Sequence, residues 1–157
     1  MRRLAPVVAL LVLASGCGGG ENRSARPTVA TDPAARFAVR LDANLAKRRF
    51  RLAWRSLHPA QQRILSARAL AACWSKSRTS DLEHRLRFVA RRVRDEPARI
   101  PGGPRRPQPS RAISIRVLDP SGNVLDSFEQ HVFAVGGSWR WIVSAGILHA
   151  FRSGSCG

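Results

Sequence analysis

The chain has 157 residues, 27 Lys and Arg against 10 Asp and Glu, and a formal net charge of +17. That length supports one domain with one modest core, and the lack of any tyrosine excludes a tyrosine oxyanion donor. No Gly-x-Ser-x-Gly, phosphate-loop or dinucleotide glycine motif occurs, which removes the hydrolase and nucleotide-binding chemistries that rest on them.

The chain opens with Arg2 and Arg3 ahead of an apolar run, Leu4 to Ala14. A membrane-spanning helix takes roughly 20 apolar residues, so a run this short reads as a secretory signal. The stretch that ends it, Leu13-Ala14-Ser15-Gly16-Cys17, resembles the lipobox of a bacterial lipoprotein signal. The resemblance implies a cut before Cys17, a thioether from its sulfur to a diacylglycerol, and a protein held on the extracytoplasmic face of the cell membrane. Two acyl chains, at about 0.8 kcal/mol per buried methylene, make such an anchor stable. The expected layout is a signal peptide over 1–16, a tether over 17–31 and one domain over 32–157. Without Arg2 and Arg3 the charge is still about +15. Export takes nucleic acid out of reach, so the anionic partners expected are phospholipid headgroups and wall polymers. All the basic residues except Lys47 and Lys76 are Arg, a bias that a high-G+C genome also produces.

Residues 18–31 are Gly, Ser, Asn, Arg and Pro with scarcely an apolar group, a flexible tether that holds the domain roughly 20 Å from the membrane. Asp32-Pro33 then opens a helix, and Ala34, Phe37, Ala38, Leu41 and Leu45 carry it at helical spacing to about Arg48. Asp42, one residue past Leu41, is expected to face solvent. A second helical stretch covers Phe50 to Leu57, with Trp54 and Leu57 three apart, until His58-Pro59 interrupts it. Pro59 begins another turn through Leu65. Ser66 caps a short helix, Ala67 to Trp74, whose inner side carries Leu70, Cys73 and Trp74.

From Glu83, where His84 opens a strand, the period changes to two. Leu86, Phe88 and Ala90 alternate with Arg85, Arg87 and Arg91, a half-buried strand with a basic outer face. Five prolines and two glycines make 94–110 a loop. Ile113, Ile115 and Val117 form the next strand, Asp119 to Asn123 a turn, and Val124 to Val135 a long strand. After a turn at Gly136-Gly137-Ser138, the residues Trp139, Trp141 and Val143 alternate into a last strand that runs on through Ile147 to Phe151. Helices first and hairpin-linked strands later predict an α+β domain, with N-terminal helices packed on a curved antiparallel sheet of about four strands.

With Cys17 acylated, Cys73 and Cys156 remain as an even pair in an oxidising compartment and read as a disulfide. In the chain-entropy model it closes a loop of roughly 84 residues and contributes about 4 kcal/mol. The alternatives are two buried free thiols or a metal site, and no CxxC, HxxxH or carboxylate cluster lies nearby to complete a zinc shell.

The helices-then-meander order, with Trp54…Leu57-His58-Pro59 early and Gly137-Ser138-Trp139-Arg140-Trp141 late, resembles the nuclear-transport-factor-2-like superfamily. The form it is most similar to is the small secreted lipoprotein of high-G+C Gram-positive bacteria, and the likeness covers about Asp32 to Gly157. It implies a cone-shaped fold. It also implies pairing of a cysteine after the early helices with a Gly-x-Cys near the C-terminus, here Cys73 and Gly154-Ser155-Cys156. Enzymes of that superfamily place Tyr, Asp and His groups inside the cone.

Trp54, Phe88, Phe128, Trp139 and Trp141 are the candidates to line an apolar ligand pocket in such a cone. Trp139 and Trp141 share a strand face and either fill the core or line the mouth. Arg85, Arg87 and Arg91 are the candidate contact for anionic lipid or wall polymer; the plainer reading is a solvated strand face. A proton-transfer pair would have to come from a carboxylate and an imidazole such as Asp126 and His149. Asp119 serves a turn, His58 a helix boundary, and the four histidines are too scattered for a metal site, so neither metal nor cofactor is expected. The expectation is a non-catalytic, lipid-anchored cell-envelope protein that binds a partner protein or a small apolar ligand. Two alternatives stand beside it: a small hydro-lyase or isomerase using the same cone, and an envelope-docking module with an Arg-rich face. A cone filled by side chains favours docking; a dry, open one favours a ligand.

Overall fold

Asp32 sets the first element. In this computed structural model, which describes residues 29–76 and 85–155, its Oδ1 accepts the N–H groups of Ala34 at 2.8 Å and Ala35 at 3.0 Å. Pro33 occupies the first helical position of α1 (Pro33–Ala46), where its missing N–H costs nothing. The other carboxylate oxygen of Asp32 pairs with Arg111 at 2.9 Å, so one side chain both caps the helix and ties it to the sheet. Arg48, at φ 57, turns the chain into α2 (Phe50–Arg55). His58 caps α3 (Pro59–Gln62), its Nδ1 accepting from the Ala60 N–H at 3.2 Å. Ser66 caps α4 (Ala67–Lys76) through Ala69 at 3.1 Å.

Four strands follow: β1 (Arg87–Asp95), β2 (Arg111–Leu118), β3 (Val124–Val135) and β4 (Ser138–Trp141). They form an open antiparallel sheet in the order β1-β2-β3-β4. Asp119 accepts from the Asn123 N–H at 2.8 Å in the β2–β3 turn. Gly136 and Gly137, at φ 57 and 75, make the two-residue hairpin before β4, a geometry in which positive φ favours glycine. β4 pairs only with 132–135 of β3, so the edge of β3 over 124–131 has no strand partner among the described residues. The β1–β2 register slips between Ala90 and Arg92, leaving Arg91 as the extra residue of a bulge.

The last strand is shorter than the sequence predicts. It ends at Trp141, and the apolar run beyond is a fifth helix, α5 (Ala145–Ser153). Ser144 caps it by accepting from the Ile147 N–H at 3.3 Å, and Gly154 at φ 70 closes it. Leu148 and Phe151, three apart, then face the body of the domain: Leu148 is buried, and Phe151 meets Trp74 of α4 at 6.0 Å between ring centroids.

The side chains fall into three packed groups. On the inner face of the sheet, Ala34, Ala35 and Ala38 of α1 sit on Ile113, Ile115 and Val132; alanines let the helix approach closely. Beside it, Leu41 joins Ala53, Leu57, Leu65, Leu70, Trp141, Val143 and Leu148 from α2, α4 and the last segment. On the outer face, Phe133 is covered by Ala60 and Ile100. The fully buried Gln61 links these regions, donating to Pro101 O at 3.1 Å and Val143 O at 3.0 Å and accepting from the Val143 N–H at 2.8 Å. Every donor and acceptor it brings inside is matched, as burial demands. Among the described residues no helix is long and apolar enough to cross a membrane.

Candidate functional site

Alternation along β2 and β3 sends Ile113 and Ile115 inward, and Ser114, Arg116, Ser127 and Glu129 outward. On β1 the bulge resets the count, so Arg92 lies opposite Ser114 and Val89 opposite Arg116. The expected trio of Arg85, Arg87 and Arg91 is therefore not one row. Arg85 precedes β1, Arg87 stands opposite Leu118, and Arg91 is displaced by the bulge, with Arg92 taking the next regular position. Arg91, Arg92, Ser114, Arg116 and Ser127 instead line a shallow hollow of about 460 Å³, with Phe128 and Glu129 at its β3 side. None of the three arginines makes an ion pair among the described residues. Arg92 is missing from the sequence-based trio because a one-residue slip in register leaves only a weak trace, the Arg91-Arg92 doublet; Arg116 is missing because it belongs to the neighbouring strand, opposite Val89.

Next to the hollow the charges are matched. Arg94 reaches Glu96 at 2.7 Å and Glu129 at 2.9 Å, and its guanidinium holds the Glu96 carboxyl below the usual range. His131 Nδ1 meets the Ser110 hydroxyl at 3.0 Å, and that hydroxyl donates to the Glu96 carbonyl. Donor atoms of Glu96, Glu129 and His131 lie within 4.8 Å of one another, spacing that would suit a divalent cation. Arg94 already supplies the positive charge between the two carboxylates, so an ion there would have to displace a guanidinium. Spacing of two along the strand already puts Glu129 and His131 on one face of β3, whereas sequence spacing gives no hint that Glu96 joins them.

The five aromatic residues expected in one pocket are divided among different surroundings. Trp54 and Trp141 pack in the group beneath α2 and α4, their indole N–H groups donating to Leu65 O at 2.7 Å and Ala53 O at 2.8 Å. Phe88 and Trp139 pack against the α1 alanines, whereas Phe128 is 37% exposed. Most of the space between helices and sheet is occupied by Ala, Ile, Leu and Trp side chains, and among the described residues the five do not line one hollow.

Asp42 also departs from expectation. It is buried, and its Oδ2 accepts from Gln130 Nε2 at 2.9 Å. α1 is flanked by the sheet on one side and α2 on another, so its buried sector is wider than a single stripe. Burial pushes the Asp42 carboxyl up to about 7, with the Gln130 hydrogen bond opposing. His58 shifts the other way: burial lowers its basicity, with Arg63 and Arg140 adding to the effect. Its Nδ1 is engaged as a cap, and its ring meets Phe133 edge-on at 5.6 Å. Asp126 accepts from the Ser127 N–H at 2.7 Å and His149 is exposed on α5; no hydrogen bond or ion pair joins the two among the described residues.

Cys73 on α4 is disulfide-bonded. Cys17 and Cys156, together with the expected signal, His84 and all of the tether before residue 29, lie outside the described residues. No family model, no curated protein and no solved structure matches this chain.

Proposed function

We propose that this is a non-catalytic, lipid-anchored protein of the cell envelope that docks on an anionic surface through the outer face of its sheet. The carrying observation is the hollow lined by Arg91, Arg92 and Arg116, three cations without ion-pair partners among the described residues, beside the hydroxyls of Ser114 and Ser127. Guanidinium forks and hydroxyls match phosphate oxygens, and headgroups and wall polymers offer those outside the cell. The signal-like N-terminus and Cys17 support the anchor. α4 and α5 meet through Trp74 and Phe151, which supports the pairing of Cys73 with Cys156, five residues beyond Phe151. The order of elements, and α1 lying across one face of the sheet, support reading the domain as a nuclear-transport-factor-2-like cone. A non-catalytic role is supported by an interior filled with apolar side chains and by titratable groups that stand apart or are already paired.

The test uses the chain carrying Cys17→Ser, so that acylation does not contribute. It should bind phosphatidylglycerol vesicles and not phosphatidylcholine vesicles, and the binding should fall steeply as salt rises. With about 1 kcal/mol per basic residue near an anionic surface, Arg92→Ala with Arg116→Ala should weaken it more than tenfold. Equal binding to neutral vesicles, or binding that salt leaves unchanged, would overturn the proposal.

A further inference from the structure

A second hollow, of about 370 Å³, lies between α1 and β1 at the root of the tether. Its walls are Val29, Ala30, Ala35, Val39, Phe88, Val89 and Ala90. Arg36 and Arg40 complete it; they are exposed, one helical turn apart on α1, and neither is ion-paired among the described residues. Ala35 and Val39 recur at the same spacing, so the helix lays an apolar strip beside a cationic one. We infer that this hollow seats one anionic phospholipid of the leaflet that holds the anchor, its acyl chain against the apolar wall and its phosphate on Arg36 and Arg40.

Three considerations select that occupant. Two guanidiniums with no ion pair among the described residues, beside an apolar wall, fit an anion with an apolar tail better than either a bare anion or a neutral hydrocarbon. Nine lining residues fall well short of the 20–30 a side of a stable protein interface, and a second copy of a +17 chain would bring repulsion. Val29 stands twelve positions after Cys17 in the sequence, so on the anchor reading this hollow lies within about 43 Å of chain from the bilayer, even at full extension. The source of the lipid rests on the anchor reading given above; the binding chemistry does not.

The experiment follows backbone amide shifts of the Cys17→Ser chain titrated with dihexanoyl phosphatidylglycerol below its micelle-forming concentration. Dihexanoyl phosphatidylcholine and inorganic phosphate serve as comparison probes. Shifts should centre on Ala30, Val39 and Phe88, with phosphatidylglycerol bound about tenfold tighter than either comparison probe, the size of one lost charge-assisted hydrogen bond. Arg36→Gln with Arg40→Gln, both at exposed positions, should remove that preference, and Ala30→Trp should block the site. Equal affinity for inorganic phosphate would reduce the site to a bare anion contact and overturn the inference. Shifts confined to Arg91, Arg92 and Arg116 would also overturn it, while leaving the docking surface standing. If vesicle binding fails but these shifts appear, the docking surface falls and the lipid seat stands.

Discussion

The two faces of the sheet come from the same strands and share almost nothing else. On the inner face, Ile113, Ile115 and Val132 are fully buried against three alanines of α1. On the outer face, one residue along in each strand, Ser114, Arg116 and Ser127 meet solvent around a hollow. A period of two separates cohesion from contact, and a single extra residue at Arg91 decides which arginines belong to the outer face. In such a sheet, changes to the inner side should act mainly on stability, and changes to the outer side mainly on the docking proposed above.

Truncation on the inner face should have the largest effect. Ile115→Ala should cost about 2–5 kcal/mol in denaturant unfolding, from lost burial and the cavity left behind. Removing the polar tie comes next: Gln61→Leu leaves the Val143 N–H and two carbonyls unmatched, and should lower stability by about 2–3 kcal/mol. Asp42→Asn probes the same face through pH. Between the ordinary value of 3.8 and about 7, the folded chain keeps a proton that the unfolded chain has lost. Stability should therefore fall as pH rises through that window and level off above it. Asn substitution should abolish the slope, leaving stability at pH 4 nearly unchanged and raising it at pH 8, as read from melting temperatures. Arg116→Ala marks the other extreme, with less than about 0.5 kcal/mol lost and the effect seen in vesicle binding instead. If Arg116→Ala destabilised as much as Ile115→Ala, the division of labour between the faces would be wrong.

The same contrast explains what was legible beforehand. Local signals carried α1, through Asp32-Pro33, and β3, whose ends at Val124 and Val135 are set by turns that require particular residues. α5 was missed because Ile147 to Phe151 is a short apolar run, in which helix and strand periods are hard to separate; the Ser144 cap and Gly154 were the cues. Asp42 was misplaced because helical spacing locates one stripe, whereas α1 is covered from two directions. The outer hollow, and the approach of Glu96 to Glu129 and His131, were illegible for a further reason. Each depends on which residues of neighbouring strands come to lie side by side, and a bulge changes that without any strong local mark.

The edge of β3 that no strand covers among the described residues has a consequence for contacts between copies. Val124 and Leu125 are about half exposed there, and a bare strand edge with such residues is a ready template for joining another chain. Two copies pairing antiparallel through this edge keep the same face up, so a register centred on Asp126 sets that carboxylate against its own copy, one centred on Glu129 does the same, and like charges repel. Both carboxylates disfavour such registers, and Asp126→Asn with Glu129→Gln should increase concentration-dependent association, as read by sedimentation.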